Sequence, residues 1–222
     1  MSSAAAAAAA EGDVFAMKVL FINGSPHERG ATYTALREVE KVLLEGGVET
    51  EWVQVGKKPV SGCVDCGFCG RGGRCVFNDD VNRILDGLDA VDAIVVGSPV
   101  YYAGPSGQVR CLLDRLFFAG SDRFAGKVGA AVVSCRRGGA ATAFDQLNKY
   151  FSISNMPIAT SQYWNQNHGN NAAEAAQDTE GMQTMRTLGQ NILWMLRSIE
   201  AGKRAGVPAP AYEAPTPMNF IH

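Results

Sequence analysis

The chain has 222 residues, 46% of them hydrophobic, with 20 Lys and Arg against 22 Asp and Glu for a formal net charge of −2. That length suits one domain, the apolar share excludes wholesale disorder, and the charge gives no support for a nucleic-acid or anionic-membrane surface. No run approaches the roughly 18 apolar residues of a spanning helix, and the Ala-rich start lacks the basic residues of a secretory signal. A cytoplasmic location is therefore expected.

Residues 1–16 read as an Ala-rich N-terminal tail and 17–204 as the folded domain. Lys18–Asn23 (KVLFIN) is a buried strand broken at Gly24-Ser25-Pro26. Tyr33, Leu36, Val39, Leu43 and Leu44 then share a helical face that stops at Gly46-Gly47. Val48–Val55 alternates and reads as a strand nearer an edge. After a Cys-rich loop, Asp79 or Asp80 caps a short helix carrying Val81, Ile84, Leu85 and Leu88. Val91–Ser98 and Lys127–Ser134 are strands three and four, near-continuous apolar runs of the kind covered on both faces. Val109, Leu112, Leu113 and Leu116 mark the helix after strand three, and Phe144, Leu147 and Phe151 the helix after strand four. Met156–Trp164 is expected as a fifth strand, followed by a long helix from Thr179 to Glu200. Residues 205–222, with four prolines, should form an extended tail. Strand and helix alternate about five times, which predicts an α/β doubly wound parallel sheet with helices on both faces.

Ligands of such sheets sit beyond the carboxyl ends of the strands. Three loops there stand out. Residues 23–32 (NGSPHERGAT) carry Gly24, hydroxyls at Ser25 and Thr32, and a helix N-terminus, which together suit a phosphate without a Lys. Residues 98–106 (SPVYYAGPS) offer a rigid aromatic edge for a flat ring system. Residues 134–140 (SCRRGGA) combine small residues with two arginines. Capping hydroxyls, core tyrosines and solvated arginines are the bland alternatives. A phosphorylated heterocycle fits the three loops together better than a dinucleotide, because the G-x-G-x-x-G fingerprint is missing, and FMN is the economical choice.

With these segments in this order, the chain resembles the flavodoxin-like, NAD(P)H-dependent FMN reductases from about Met17 to Glu200. The resemblance implies a five-stranded parallel sheet in the order 2-1-3-4-5, FMN as cofactor, NAD(P)H as co-substrate, and a homodimer or homotetramer. It places Ser25, His27, Ala31, Thr32 and Tyr33 at the phosphate. Pro99, Val100, Tyr101 and Tyr102 would face the isoalloxazine, with Ser134, Arg136 and Gly138 at its other edge. Gly30-Ala31-Thr32 replaces the family's G-N-T/S pattern, which leaves the backbone to serve at that point.

Cys63-x2-Cys66-x2-Cys69-x5-Cys75 is the most specific chemical signal in the chain. Two-residue gaps let thiolates converge on one centre, and four sulfur ligands suit zinc or an iron–sulfur cluster. The spacing resembles the iron–sulfur flavoprotein branch of the same family, which implies a [4Fe–4S] cluster passing single electrons to FMN; free thiols, with FMN as the only cofactor, are the alternative. Cys111 lies on an apolar helix face and reads as core, while Cys135 lines the glycine loop. His168, in the segment SQYWNQNH, is a candidate proton donor, with a structural role as the alternative.

The expected activity is an FMN-dependent NAD(P)H oxidoreductase that reduces a quinone, a nitro or azo compound, free flavin or a protein acceptor. Two rivals remain: an iron–sulfur flavoprotein carrying electrons between ferredoxin-like partners, and a zinc-stapled binding module.

Overall fold

Residues 17–214 and 216–218 are described by the computed structural model, so the Ala-rich leader lies outside the described residues. The apolar runs form the strands. β1 (Lys18–Asn23), β3 (Ala93–Tyr101) and β5 (Val128–Cys135) lie side by side and parallel, flanked by β2 (Glu49–Gln54) at one edge and β6 (Gln166–His168) at the other. Their order, β2-β1-β3-β5-β6, is the expected flavodoxin-like 2-1-3-4-5 arrangement, and the labels differ because a two-residue β4 (Gly104–Pro105) folds back antiparallel on β3.

Successive side chains of the inner strands bury themselves on opposite faces, as the period of two requires. Leu20, Ile22, Ile94, Val96, Ala131 and Val133 face one core. There they meet α2 (Asp80–Gly87), α3 (Gly107–Gly120) and α4 (Ala140–Ile153). Val19, Phe21, Val95, Val128, Ala130 and Val132 face a second core under α1 (Ala31–Glu45) and α6 (Thr179–Arg204). A short α5 (Ala172–Gln177) joins β6 to α6. Gly97 lets α1 sit directly on β3, since a Cβ there would lie 2.6 Å from Leu36 Cδ1 and 2.9 Å from Thr32 Cγ2.

Two expectations need correction. Leu44 is 48% exposed, because α1 covers its core with Leu36, Val39 and Leu43 and turns Leu44 outward. The fifth strand is displaced along the chain. Residues 156–164 touch β5 through one bridge, Gly129 to Ile158, with Gly129 N–H donating to Pro157 O and Ala159 N–H to Gly129 O. The backbone then leaves the ladder, since Ser161 Oγ donates to Tyr163 O and Asn165 Oδ1, a local alternative to strand pairing. Asn165 restores the edge: its Nδ2 donates to Ala131 O and its carbonyl accepts from Val133 N. Regular pairing resumes at Gln166–His168.

Beyond α6, Gly206 adopts φ +79° and Val207 N–H donates to Gly202 O, which ends the helix. Residues 207–214 are exposed and carry no regular structure. Among the described residues no helix is long and apolar enough to cross a membrane.

Candidate functional site

The loop after β1 is held by side chains from two strands. Gly24 N–H donates to Gly97 O at 2.7 Å, and a Cβ on Gly24 would lie 2.7 Å from Val109 Cβ, so only glycine lets the chain cross here. Asn23, fully buried, accepts from Ser25 N–H through Oδ1 and donates through Nδ2 to Gln54 Oε1 at 2.7 Å. Gln54 Nε2 in turn donates to Ser25 O at 2.6 Å, and Ser25 Oγ accepts from His27 N–H. Gln54 thus fixes the loop from the end of β2, a role its place in an alternating strand did not signal. α1 starts at Gly30 with no side-chain cap, leaving its first-turn N–H groups to an incoming anion.

These elements form one wall of a cleft of about 1470 Å³. Of the residues named from the sequence, Ser25, His27, Ala31, Thr32, Pro99, Val100, Tyr101, Ser134 and Arg136 line it. Tyr33 does not; it is turned to Trp52, with ring centroids 5.3 Å apart. Tyr102 is fully exposed at the tip of the β3–β4 hairpin, and Gly138 has open space where a side chain would project. His168 also stays outside the lining: its N–H donates to Asp178 Oδ2 at 2.7 Å and its Nδ1 lies 3.6 Å from the same oxygen. Its neighbours Gly169 to Ala173 line the cleft instead, together with Lys57 and Lys58 in the loop after β2 and Asp79 before α2.

The hairpin is strained where it meets the cleft. Tyr102 and Ala103 both have left-handed backbones, φ +49° and +58°. That geometry belongs to type I′ turns, which prefer Asn-Gly, and costs on the order of 1–3 kcal/mol per non-glycine residue. Gly139, at φ +87°, packs under the turn, and a Cβ there would lie 2.8 Å from Ala103 Cα. The loops after β3 and β5 therefore brace each other. Cys135, buried at the end of β5, has its thiol pushed up by burial, so it lines the cleft as a neutral group.

Cys63, Cys66, Cys69 and Cys75 border one small cavity of about 20 Å³, closed on the protein side by Arg115 and Ala119. Cys63 and Cys66 are exposed, whereas Cys69 and Cys75 are half-buried. Among the described residues no three His, Cys, Asp or Glu side chains are gathered as a metal-ligand set. The loop has one firm end. Asn82, itself buried, accepts from Cys75 N–H at 2.8 Å and donates to Cys75 O and Phe77 O. Arg115, with a side chain 1% exposed, pairs with Asp79 through Nη1 at 2.7 Å and Nη2 at 2.8 Å. Its Nε donates to Cys75 Sγ at 3.2 Å and Nη1 also donates to Ser61 O. Burial acts to lower the guanidinium's pKa, but the hydrogen bonds to Asp79 and Cys75 outweigh it and leave the group above its ordinary value. A buried, charged Arg in the run LLDRLFF is the residue that reading by apolar periodicity missed.

Residues 17–171 match the model of the NADPH-dependent FMN reductases. The chain belongs to that family. The match spans all three strand-end loops and the four cysteines. An iron–sulfur flavoprotein of Methanocaldococcus jannaschii is 32% identical over 83% of this chain and 100% of its own. Another, from Methanosarcina thermophila, is 30% identical over 84% of this chain and 99% of its own. Among solved structures, RosB with bound 8-demethyl-8-formylriboflavin-5'-phosphate superposes with a TM-score of 0.64 at 15% identity, covering 93% of this chain and 94% of that one. An archaeal flavodoxin superposes at 0.57 and 16% identity over 82% and 99%. These two carry the fold alone, and with the FMN reductase match they agree on a flavodoxin-like sheet.

Proposed function

We propose that the protein is an FMN-dependent oxidoreductase that takes hydride from NAD(P)H, with a [4Fe–4S] cluster held by Cys63, Cys66, Cys69 and Cys75 as its one-electron port. The observation that carries the reading is a single ion pair between a buried guanidinium and an exposed carboxylate. Asp79 lines the cleft, Arg115 borders the cysteine cavity, and the two are bonded to each other. Cleft and thiols are thereby joined through one contact.

The residue types present suit both groups, and the four thiols border one cavity without being drawn together as a ligand set. The uncapped start of α1, with Ser25 and Thr32 beside it, suits a phosphate. Four thiols around one cavity are the donor set of an iron–sulfur cluster. FMN, when bound, accepts hydride and releases electrons singly, and the cluster carries one electron at a time. The protein's share is orientation. Pro99, Val100 and Tyr101 wall one side of the cleft, and Arg136 brings positive charge to the anionic reduced ring. Tyr101 is 47% exposed, so the site stays open on that side for a nicotinamide or an acceptor. Lys57 and Lys58, also in the lining, suit the phosphates of a dinucleotide.

A one-electron port suits a protein acceptor better than a small quinone or nitro compound. The exposed rings of Tyr102, Tyr163 and Trp164 suit cover by a second copy in a homodimer or homotetramer. The test is anaerobic: FMN-loaded protein should lose its flavin absorbance on addition of NADPH or NADH. A protein that binds no FMN, or bound FMN that neither nucleotide reduces, overturns the oxidoreductase reading.

A further inference from the structure

The four cysteines are not equivalent. Cys63 and Cys66 stand exposed on a glycine-rich loop, whereas Cys75 is clamped at its backbone by Asn82 and at its sulfur by Arg115. The guanidinium divides its donors. Nη1 and Nη2 satisfy both Asp79 oxygens, Nη1 also serves Ser61 O, and Nε alone faces Cys75 Sγ at 3.2 Å. Phe77 closes the site from above, with its ring centroid 4.8 Å from Arg115 Cζ.

An Arg kept only to neutralise Asp79 has no need to aim Nε at a sulfur. A buried charge is costly to desolvate, and the cost is offset only when its donors are met. Here the third side of the guanidinium is met by a thiol, a weak acceptor when protonated and a strong one as thiolate. Ligation of a metal deprotonates cysteine, so the N–H···S contact is strongest in the loaded site.

We infer that Arg115 is a positioning residue for the cysteine site: it presets Cys75 as the first ligand and keeps its Nε–H bond to that sulfur when the cluster is in place. This rests on the proposed cluster. Hydrogen bonds to ligand sulfur draw off negative charge and favour the reduced cluster, so Arg115 sets the cluster's potential above the value it would have without the bond.

The experiment uses full-length protein carrying FMN and iron, compared with two variants. Arg115→Lys keeps a charge toward Asp79 but removes the planar Nε–H. Arg115→Met combined with Asp79→Asn removes both charges and leaves an oxygen to cap α2 beside Val81 N. Redox titration followed by electron paramagnetic resonance should show the cluster's midpoint shifted to more negative potential in both variants. Wild-type protein grown on arginine labelled with nitrogen-15 provides a readout that needs no variant. Its reduced cluster should show nitrogen-15 hyperfine coupling and, in heavy water, one strongly coupled exchangeable deuteron. Absence of that coupling in an iron-loaded wild type, or cluster midpoints unchanged in variants that keep their iron, overturns the inference while leaving the cluster intact. A wild type that binds FMN but no iron overturns the cluster and this inference together.

Discussion

Ser25→Ala combined with Thr32→Val is expected to weaken FMN binding about tenfold or more per hydroxyl, without preventing folding. A hydrogen bond to a charged phosphate contributes about 1.5–3 kcal/mol, and each 1.4 kcal/mol is tenfold in affinity. Thr32 is buried and turns its methyl toward Gly97, so valine keeps the packing of α1 on β3 while removing the oxygen. Ser25 also holds the loop together, because its Oγ accepts from His27 N–H, and its loss loosens that turn. The uncapped N–H groups at the start of α1 remain, so binding should be reduced and not abolished. Titration of the apo-protein with FMN checks this. Unchanged affinity in the double variant would remove the phosphate from this loop.

The second large effect is expected at the cysteine loop. Cys66→Ser replaces an exposed thiol on a segment with few contacts to the core, so the fold and the flavin should survive. Serine oxygen is a poor ligand for a cluster that selects soft sulfur, and iron content should fall to a small fraction of the wild type. Iron and FMN measured on the same preparation separate the two sites. Iron retained in full would show that Cys66 is not a ligand, and flavin lost along with iron would show that the two sites fold as one.

The inner strands were legible because their apolar runs are near-continuous, and a sheet covered on both faces leaves no other place for KVLFIN or VDAIVVGS. The loops of the cleft were legible for a related reason: glycine, proline and hydroxyls cluster where a strand hands over to a helix. β6 was not, since its edge is built from Asn165 and Asn167, buried polar residues that no apolar pattern reveals. Asn165 replaces ladder bonds with its side chain, and that replacement depends on where Ala131 lies in space. The family resemblance placed Tyr33 at the phosphate and Tyr102 at the isoalloxazine. One residue further around α1 points Tyr33 to Trp52, and the left-handed turn throws Tyr102 into solvent. Gln54, Lys57 and Lys58 reach the cleft because β2 is β1's neighbour in the sheet, a relation between elements that local pattern does not carry. Arg115 was hidden by its own helix. Its charge sits on a buried face only because Asp79 and Cys75 are brought there from the preceding loop.

The ratio of iron to FMN in protein purified without oxygen tests the pairing of cleft and cysteines most directly. About four iron atoms for each FMN are expected if the four cysteines hold one [4Fe–4S] cluster beside the flavin cleft. FMN bound without iron, or with zinc in its place, would contradict the one-electron port and leave a flavoprotein whose cysteines serve another purpose.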